Sequence, residues 1–113
     1  MIQQLFSQGK SFSNFPLRVI YLEPEKQVSH LQAAFSVSSK NFKKAVDRNR
    51  IKRLMRESYR LQKKNLLNKL EENHKNLSIF FIYTGNEIPV YKNVSEKIDA
   101  ILNSLEKMIT END

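Results

Sequence analysis

Arginine and lysine side chains are concentrated in one stretch of this chain. Residues 40–64 contain eleven of them against two acids, Asp47 and Glu57, although the whole chain of 113 residues has a formal net charge of only +7. Guanidinium and ammonium groups bind phosphate, and arginine does so through two parallel hydrogen bonds. A solvated helix held by local ion pairs is the alternative, but two acids are too few to pair with these cations. The stretch therefore predicts binding to a nucleic acid.

The spacing of apolar residues places these cations on a helix. At 100° per residue, two faces separate. The apolar face holds Ile51, Leu54, Met55, Ser58, Leu61 and Gln62, and the basic face holds Arg48, Asn49, Lys52, Arg53, Arg56, Arg60 and Lys63. We expect this helix to begin near residue 44 and to continue into the segment LLNKL.

Residue types that catalyse RNA cleavage are few and scattered. His30 and His74 stand alone in polar segments, Glu71 and Glu72 form an isolated acidic pair, and there is no cysteine. Cleavage with two bound metal ions needs a cluster of carboxylates, which this pattern does not provide. An autonomous nuclease is therefore disfavoured, and we predict neither a catalytic nor a metal-binding residue in this chain.

The remaining elements must position the basic helix. We predict a single-domain α+β sandwich over residues 1–113, with the element order α-β-β-α-β-α. Its further elements are a short helix at residues 2–8, strands at 15–22 and 31–37 joined as a hairpin, a buried strand at 77–84 and a final helix at 94–109. Another short strand near residues 87–91 is left open.

The longest apolar run is about six residues, whereas a membrane-spanning helix needs roughly 20. No signal peptide is recognisable, and the lack of cysteine is compatible with a reducing compartment. We therefore expect a soluble, cytoplasmic protein that does not associate with membranes and is monomeric. A ribosomal or generic RNA-binding protein would show the same charge pattern, whereas a helix-turn-helix DNA-binding protein is disfavoured because no short helix closely precedes the basic one.

The basic helix contains a recognisable motif, K-x4-AV-x-RN-x2-KR-x2-RE, which begins at Lys40 and ends at Glu57. This motif closely resembles the signature of the bacterial ribonuclease P protein subunit. The resemblance extends to Phe6 and Gly9 near the start, to FSVSSK at residues 35–40, to the strand IFFIYT and to the amphipathic last helix.

The resemblance implies that the sandwich includes an uncommon left-handed βαβ crossover around the basic helix. It also implies a protein cofactor of a large catalytic RNA, the ribonuclease P RNA, which removes the 5′ leader from precursor tRNA. In that family the RNA and its bound Mg²⁺ carry out the chemistry, the basic helix faces the RNA, and a cleft between the first helix and the sheet holds the single-stranded leader.

Two groups of residues follow from this resemblance. The RNA contacts are expected at Lys40, Arg48, Asn49, Lys52, Arg53 and Arg56 from the motif, with Arg60 added for its charge. The leader cleft is expected to use aromatic side chains, since stacking accepts any base. Its candidates are Phe6, which matches the aromatic position of the family's first helix, and Phe12, Phe15, Tyr21 and Phe35.

Three departures from the family pattern stand out. Ile2 replaces a second aromatic residue, and Lys43 occupies a position where the family often has glycine, in a loop with one extra residue. The chain also begins inside the expected first helix, without the basic segment usual before it.

Overall fold

The computed structural model describes residues 9–26 and 29–111. Within them the chain forms four strands and three helices. In chain order these are β1 (Lys10–Asn14), β2 (Leu17–Leu22), β3 (Leu31–Val37), α1 (Ala45–Gln62), α2 (Lys64–Glu72), β4 (Leu77–Tyr83) and α3 (Tyr91–Glu111). The helix predicted at residues 2–8 lies outside the described residues.

The four strands form one sheet in the order β1-β2-β4-β3. β1 pairs antiparallel with β2, β2 pairs antiparallel with β4, and β3 pairs parallel with β4. The central position of β4 follows from its sequence, LSIFFIY, which is apolar on both faces and buried along almost its whole length. This confirms the predicted buried strand.

The predicted hairpin between β2 and β3 is wrong. Both strands exist, but β4 lies between them and hydrogen-bonds to each. The connection from β3 to β4 is instead a crossover through α1 and α2. The left-handed sense of this crossover stays a prediction.

The strand β1 was not predicted. Its sequence, KSFSN, has only Phe12 as an apolar residue, and an edge strand with one solvent-facing side needs no more. Phe15 and Pro16, predicted as the start of the next strand, instead form the two-residue turn between β1 and β2, and the peptide bond that joins them is cis.

The predicted basic helix is confirmed, but it is divided in two at Lys63. The second helix ends where His74 adopts a positive φ of 53° and the amide of Lys75 donates to the carbonyl oxygen of Leu70 at 2.9 Å. This left-handed residue after the helix is a common helix stop. One residue of the predicted apolar face is wrong, since the side chain of Leu61 is 62% exposed.

The helices cover one face of the sheet. The core between them contains Leu17 and Val19 of β2, Ile79 and Phe81 of β4, and the buried side of each helix. On α3 the predicted apolar stripe is buried at Val94, Ile98, Ile101, Leu102, Leu105 and Ile109. Residues 87–91 form no strand.

The opposite face of the sheet, which we call the second face, has its own small apolar cluster. Ile20 of β2 and Phe80 of β4 are buried there, with Leu22, Ala34 and Ile82 packed around them. The alternation of side chains along each strand separates this cluster from the core under the helices. The fold is thus an α+β sandwich, as predicted. No helix in the described residues is long and apolar enough to cross a membrane.

Candidate nucleic-acid interface

The outer face of α1 presents the predicted cations to solvent. The helix has 18 residues and is therefore about 27 Å long. Along it the side chains of Asn49, Arg53, Arg56 and Arg60 are exposed, and that of Lys52 is half-buried. Ile51 and Met55 on the opposite side are fully buried, which fixes the rotation of the helix on the sheet. We call this exposed surface the basic face.

Arg48 is held at the start of α1 by the preceding loop. Its Nη1 donates to the carbonyl oxygens of Phe42 at 2.7 Å and Lys43 at 2.8 Å. The residue before the helix, Lys44, provides no side-chain cap. Arg48 therefore fixes the loop against the helix, so that it positions neighbouring cations as well as presenting its own charge.

Arg60 has an acidic partner on the same helix. Its Nη2 donates to Oε2 of Glu57 at 2.9 Å, and both side chains are about half exposed. The hydrogen bond and the charge of Glu57 raise the pKa of the Arg60 guanidinium above its ordinary value. A phosphate would have to compete with Glu57 for Arg60.

A groove opens between the second half of α1 and the edge strand β3. It has a volume of about 490 Å³ and is lined by Ala33, Ala34, Phe35, Arg56, Tyr59, Arg60 and Lys63. The two alanines leave room beside the helix. The guanidinium carbon of Arg56 lies 5.9 Å from the ring centroid of Phe35, and Nζ of Lys63 lies 5.6 Å from that of Tyr59, both within the range of cation–π attraction.

The aromatic rings beneath this groove belong to the core. Phe35 stacks on Phe81 with ring centroids 5.3 Å apart, and Tyr59 meets both rings edge-on. Burial raises the pKa of the Tyr59 hydroxyl well above its ordinary value. The phenol thus stays neutral, and Phe35 is fixed by its neighbours.

The candidates for the leader cleft are dispersed. Phe12 and Tyr21 contact each other edge-on, and with Phe35 they pack on the core side of the sheet. Phe15 is 72% exposed in the turn between β1 and β2, and Phe6 lies outside the described residues. Lys40 is exposed in the loop before α1.

Sequence reasoning did not identify the second face as a candidate surface. Its apolar residues Ile20 and Phe80 alternate with core residues along their strands, and the exposed Arg18 is on the same side. The alternation of side chains along each strand predicts which residues share a face of the sheet. It does not predict which of the two faces the helices cover.

The two histidines have local structural surroundings. Nδ1 of His30 lies 2.9 Å from the carbonyl oxygen of Lys75, so this nitrogen carries the proton and donates. His74 occupies the left-handed position that ends α2. Among residues 9–26 and 29–111, no group of three His, Cys, Asp or Glu side chains is close enough together to hold a metal ion.

A sheet with three helices on one face, one of which turns an arginine-rich side to solvent, defines a small α+β protein that presents a basic surface. The family model described as Ribonuclease P matches residues 1–106. The chain belongs to this family.

Named relatives and solved structures agree with this assignment. The ribonuclease P protein component of Porphyromonas gingivalis is 39% identical over 102 residues, which cover 89% of this chain and 74% of that protein. The corresponding protein of Chlorobium phaeobacteroides is 30% identical over 116 residues, covering 93% and 80%. The RNase P protein from Thermotoga maritima superposes with a TM-score of 0.69 at 25% identity, covering 94% of this chain and 89% of that one.

Proposed function

We propose that this protein binds the catalytic RNA of ribonuclease P and, as part of that ribonucleoprotein, promotes removal of the 5′ leader from precursor tRNA. The observation that carries the proposal is the basic face of α1, in a chain of this family. The proposed RNA contacts of the protein are Lys40 in the loop before α1 and, on the helix itself, Arg48, Asn49, Lys52, Arg53, Arg56 and Arg60. Each phosphate that these cations neutralise releases condensed counterions, which favours binding at low salt.

The protein supplies binding and positioning in this proposal. No residue of the chain is assigned to bond cleavage, and the Mg²⁺ ions that the reaction needs are held by the RNA. The lack of a carboxylate cluster in the described residues supports this division. The protein would act as a single copy in the cytoplasm, where precursor tRNA is processed.

The leader is the second ligand of the proposal. A cleft between the first residues of the chain and the sheet would require the second face, since α1 and α3 already cover the other. On that face Arg18 is exposed and provides a cation for the leader phosphates, beside the buried apolar cluster of Ile20 and Phe80. This placement favours the second face over the core-side rings of Phe12, Tyr21 and Phe35.

The first experiment is cleavage of a precursor tRNA by a bacterial ribonuclease P RNA at low Mg²⁺, with and without this protein. We expect cleavage at the correct site only when both are present. Replacing Arg53 and Arg56 together by alanine should abolish the stimulation. The control, Lys26→Ala with Lys107→Ala, removes two charges from exposed positions outside α1 and should leave it intact. RNA binding without stimulation would identify a generic RNA-binding protein instead.

A second experiment locates the leader. The affinity of the protein–RNA complex for precursor tRNA is compared with that for mature tRNA, and the difference measures leader binding. Arg18→Ala should reduce this difference, whereas Lys63→Ala, in the groove beside α1, should not. If Lys63→Ala reduced the difference and Arg18→Ala did not, the leader would be assigned to the groove that Phe35 lines.

A further inference from the structure

Exposed apolar side chains gather at one end of the sheet. Six large apolar residues are well exposed in the described part of the chain, and all except Leu61 are in the connections at this end or in the first turn of the helix that follows: Phe15, Val46, Ile88, Val90 and Tyr91. The strand register defines the end, because Leu17 and Val37 both pair with Tyr83 and Asn14 pairs with Leu17. We call the three connections there, residues 15–16, 38–44 and 84–90, the loop end.

The three connections are bonded to one another. The amide and hydroxyl of Thr84 donate to the carbonyl oxygen of Pro16 at 2.8 and 3.0 Å. Nδ2 of Asn41 donates to the carbonyl oxygens of Thr84 at 3.4 Å and Gly85 at 3.2 Å. The loop end is thus one connected structure, and Phe15 extends from it with 72% of its surface exposed.

The base of the loop end is tightly packed. Phe42 is buried with its ring centroid 6.0 Å from that of Tyr83, whose hydroxyl donates to the carbonyl oxygen of Glu87 at 2.7 Å. Gly85 lies so close to this tyrosine that a β-carbon would come within 2.6 Å of the hydroxyl oxygen. The backbone next to Phe15 is therefore fixed, because the carbonyl oxygen of Pro16 is bonded to Thr84 in this packed region.

The charge of the loop end is positive. Residues 38–44 contain Lys40, Lys43 and Lys44, all exposed, and no acid. The neighbouring acids are Glu87 in the last connection and the half-buried Asp47 in the first turn of α1. An exposed aromatic ring and lysines at the same end of the sheet fit single-stranded nucleic acid, whose bases stack on the ring while its phosphates meet the ammonium groups.

We propose that Phe15 is a stacking platform for an unpaired base of the catalytic RNA, with Lys40, Lys43 and Lys44 binding phosphates of the same RNA. The loop end continues directly into the basic face, because Arg48 of α1 bonds to the carbonyl oxygens of Phe42 and Lys43. One RNA could therefore contact both surfaces. This inference rests on the proposed function, and it assigns to Phe15 a contact with the catalytic RNA in place of the leader.

The chain contains no tryptophan, so a single tryptophan can report on this contact. In Phe15→Trp, stacking of a base on the indole should quench the fluorescence when ribonuclease P RNA is added without any tRNA. Asn103→Trp, at an exposed position on α3, is the control and should keep most of its emission.

Affinity gives an independent measurement. Phe15→Ala should weaken binding to ribonuclease P RNA about five- to 150-fold, the range expected when one base loses its stacking partner. The salt dependence should stay the same because no cation is removed. Asn103→Ala should bind as the unaltered protein does. Circular dichroism of each variant checks that it is folded.

The outcomes separate this inference from the proposed function. If the unaltered protein does not bind the RNA, the proposed function itself fails. If it binds, but Phe15→Ala binds equally well and Phe15→Trp is not quenched, the platform is overturned and the proposed function remains. In that case the exposed apolar residues of the loop end would be assigned to binding a protein partner. Quenching that needs precursor tRNA would assign Phe15 to the leader and also overturn the proposal.

Discussion

The guanidinium of Arg48 donates to the carbonyl oxygen of Phe42 at 2.7 Å, so the first arginine of the motif binds the backbone of the loop before its helix. The same nitrogen reaches the carbonyl oxygen of Lys43. A residue expected only as an RNA contact therefore also determines where the lysines of the loop lie. Arginine suits this role because it presents several donors in one plane.

Replacing Arg48 should weaken the fold as well as RNA binding. Arg48→Ala removes two hydrogen bonds from a charged donor, and we expect the free energy of unfolding to fall by about 1–3 kcal/mol. Arg50→Ala, at an exposed neighbouring position on α1, should change it by less than about 0.5 kcal/mol. Urea denaturation measures both, and equal losses would contradict the positioning role.

Arg53 and Arg56 should act on RNA binding mainly through their charge. Each replacement by alanine should reduce the magnitude of the slope of log affinity against log salt concentration by roughly 0.7–0.9, because the loss of one phosphate contact means that fewer counterions are released on binding. Binding to ribonuclease P RNA at several salt concentrations gives the slope. The control Lys107→Ala, on α3, should not change it. An unchanged slope in both arginine variants would remove them from the interface.

Glu57 should oppose RNA binding. Glu57→Gln removes a negative charge from the basic face and releases Arg60 from its ion pair. Because exposed ion pairs are weak, we expect RNA affinity to increase by up to about fivefold with little change in stability.

Glu72→Gln on α2 provides the control for this change. Glu72 also pairs with a lysine one turn away, Lys69, at 3.8 Å, so the net charge changes equally. Its effect on RNA affinity should be smaller. If the two variants gain affinity equally, the effect comes from total charge and not from Arg60.

The rotation of α1 can be tested by stability. Met55 is fully buried, and Met55→Ala should lower the free energy of unfolding by about 2–5 kcal/mol. Leu61→Ala should change it by less than about 0.5 kcal/mol, since this side chain is mostly exposed. Thermal or urea unfolding distinguishes the two. A larger loss for Leu61 would mean that the helix is rotated differently on the sheet.

The basic helix and the buried strand could be predicted because their signals are local. The helical period of 3.6 residues places Met55 and Arg53 on opposite faces of one helix. An apolar run such as IFFIY likewise predicts a buried strand without information from elsewhere in the chain. The strand β1 escaped prediction because Phe12 is its only apolar residue, and the register of an edge strand depends on its partner.

The position of β4 between β2 and β3 could not be predicted either. Pairing between strands that are distant in sequence depends on which strand buries both of its faces, whereas a short connection such as residues 23–30 favours a hairpin in any local interpretation. The same limit applied to the aromatic candidates. The alternation of side chains predicts that Tyr21 and Ile20 point to opposite faces of the sheet. Only the packing of the helices determines that Tyr21 is on the core side.

The strand order also has a consequence for how the chain assembles during synthesis. The central strand, β4, is the last strand to leave the ribosome, and β3 has no neighbour in the sheet until β4 arrives. Until then the β1–β2 hairpin and the helix α1 can form only local structure, so the four-stranded sheet cannot be completed before residue 83 has emerged. Through this interval, the nascent chain would expose the apolar side of an already cationic helix close to ribosomal RNA.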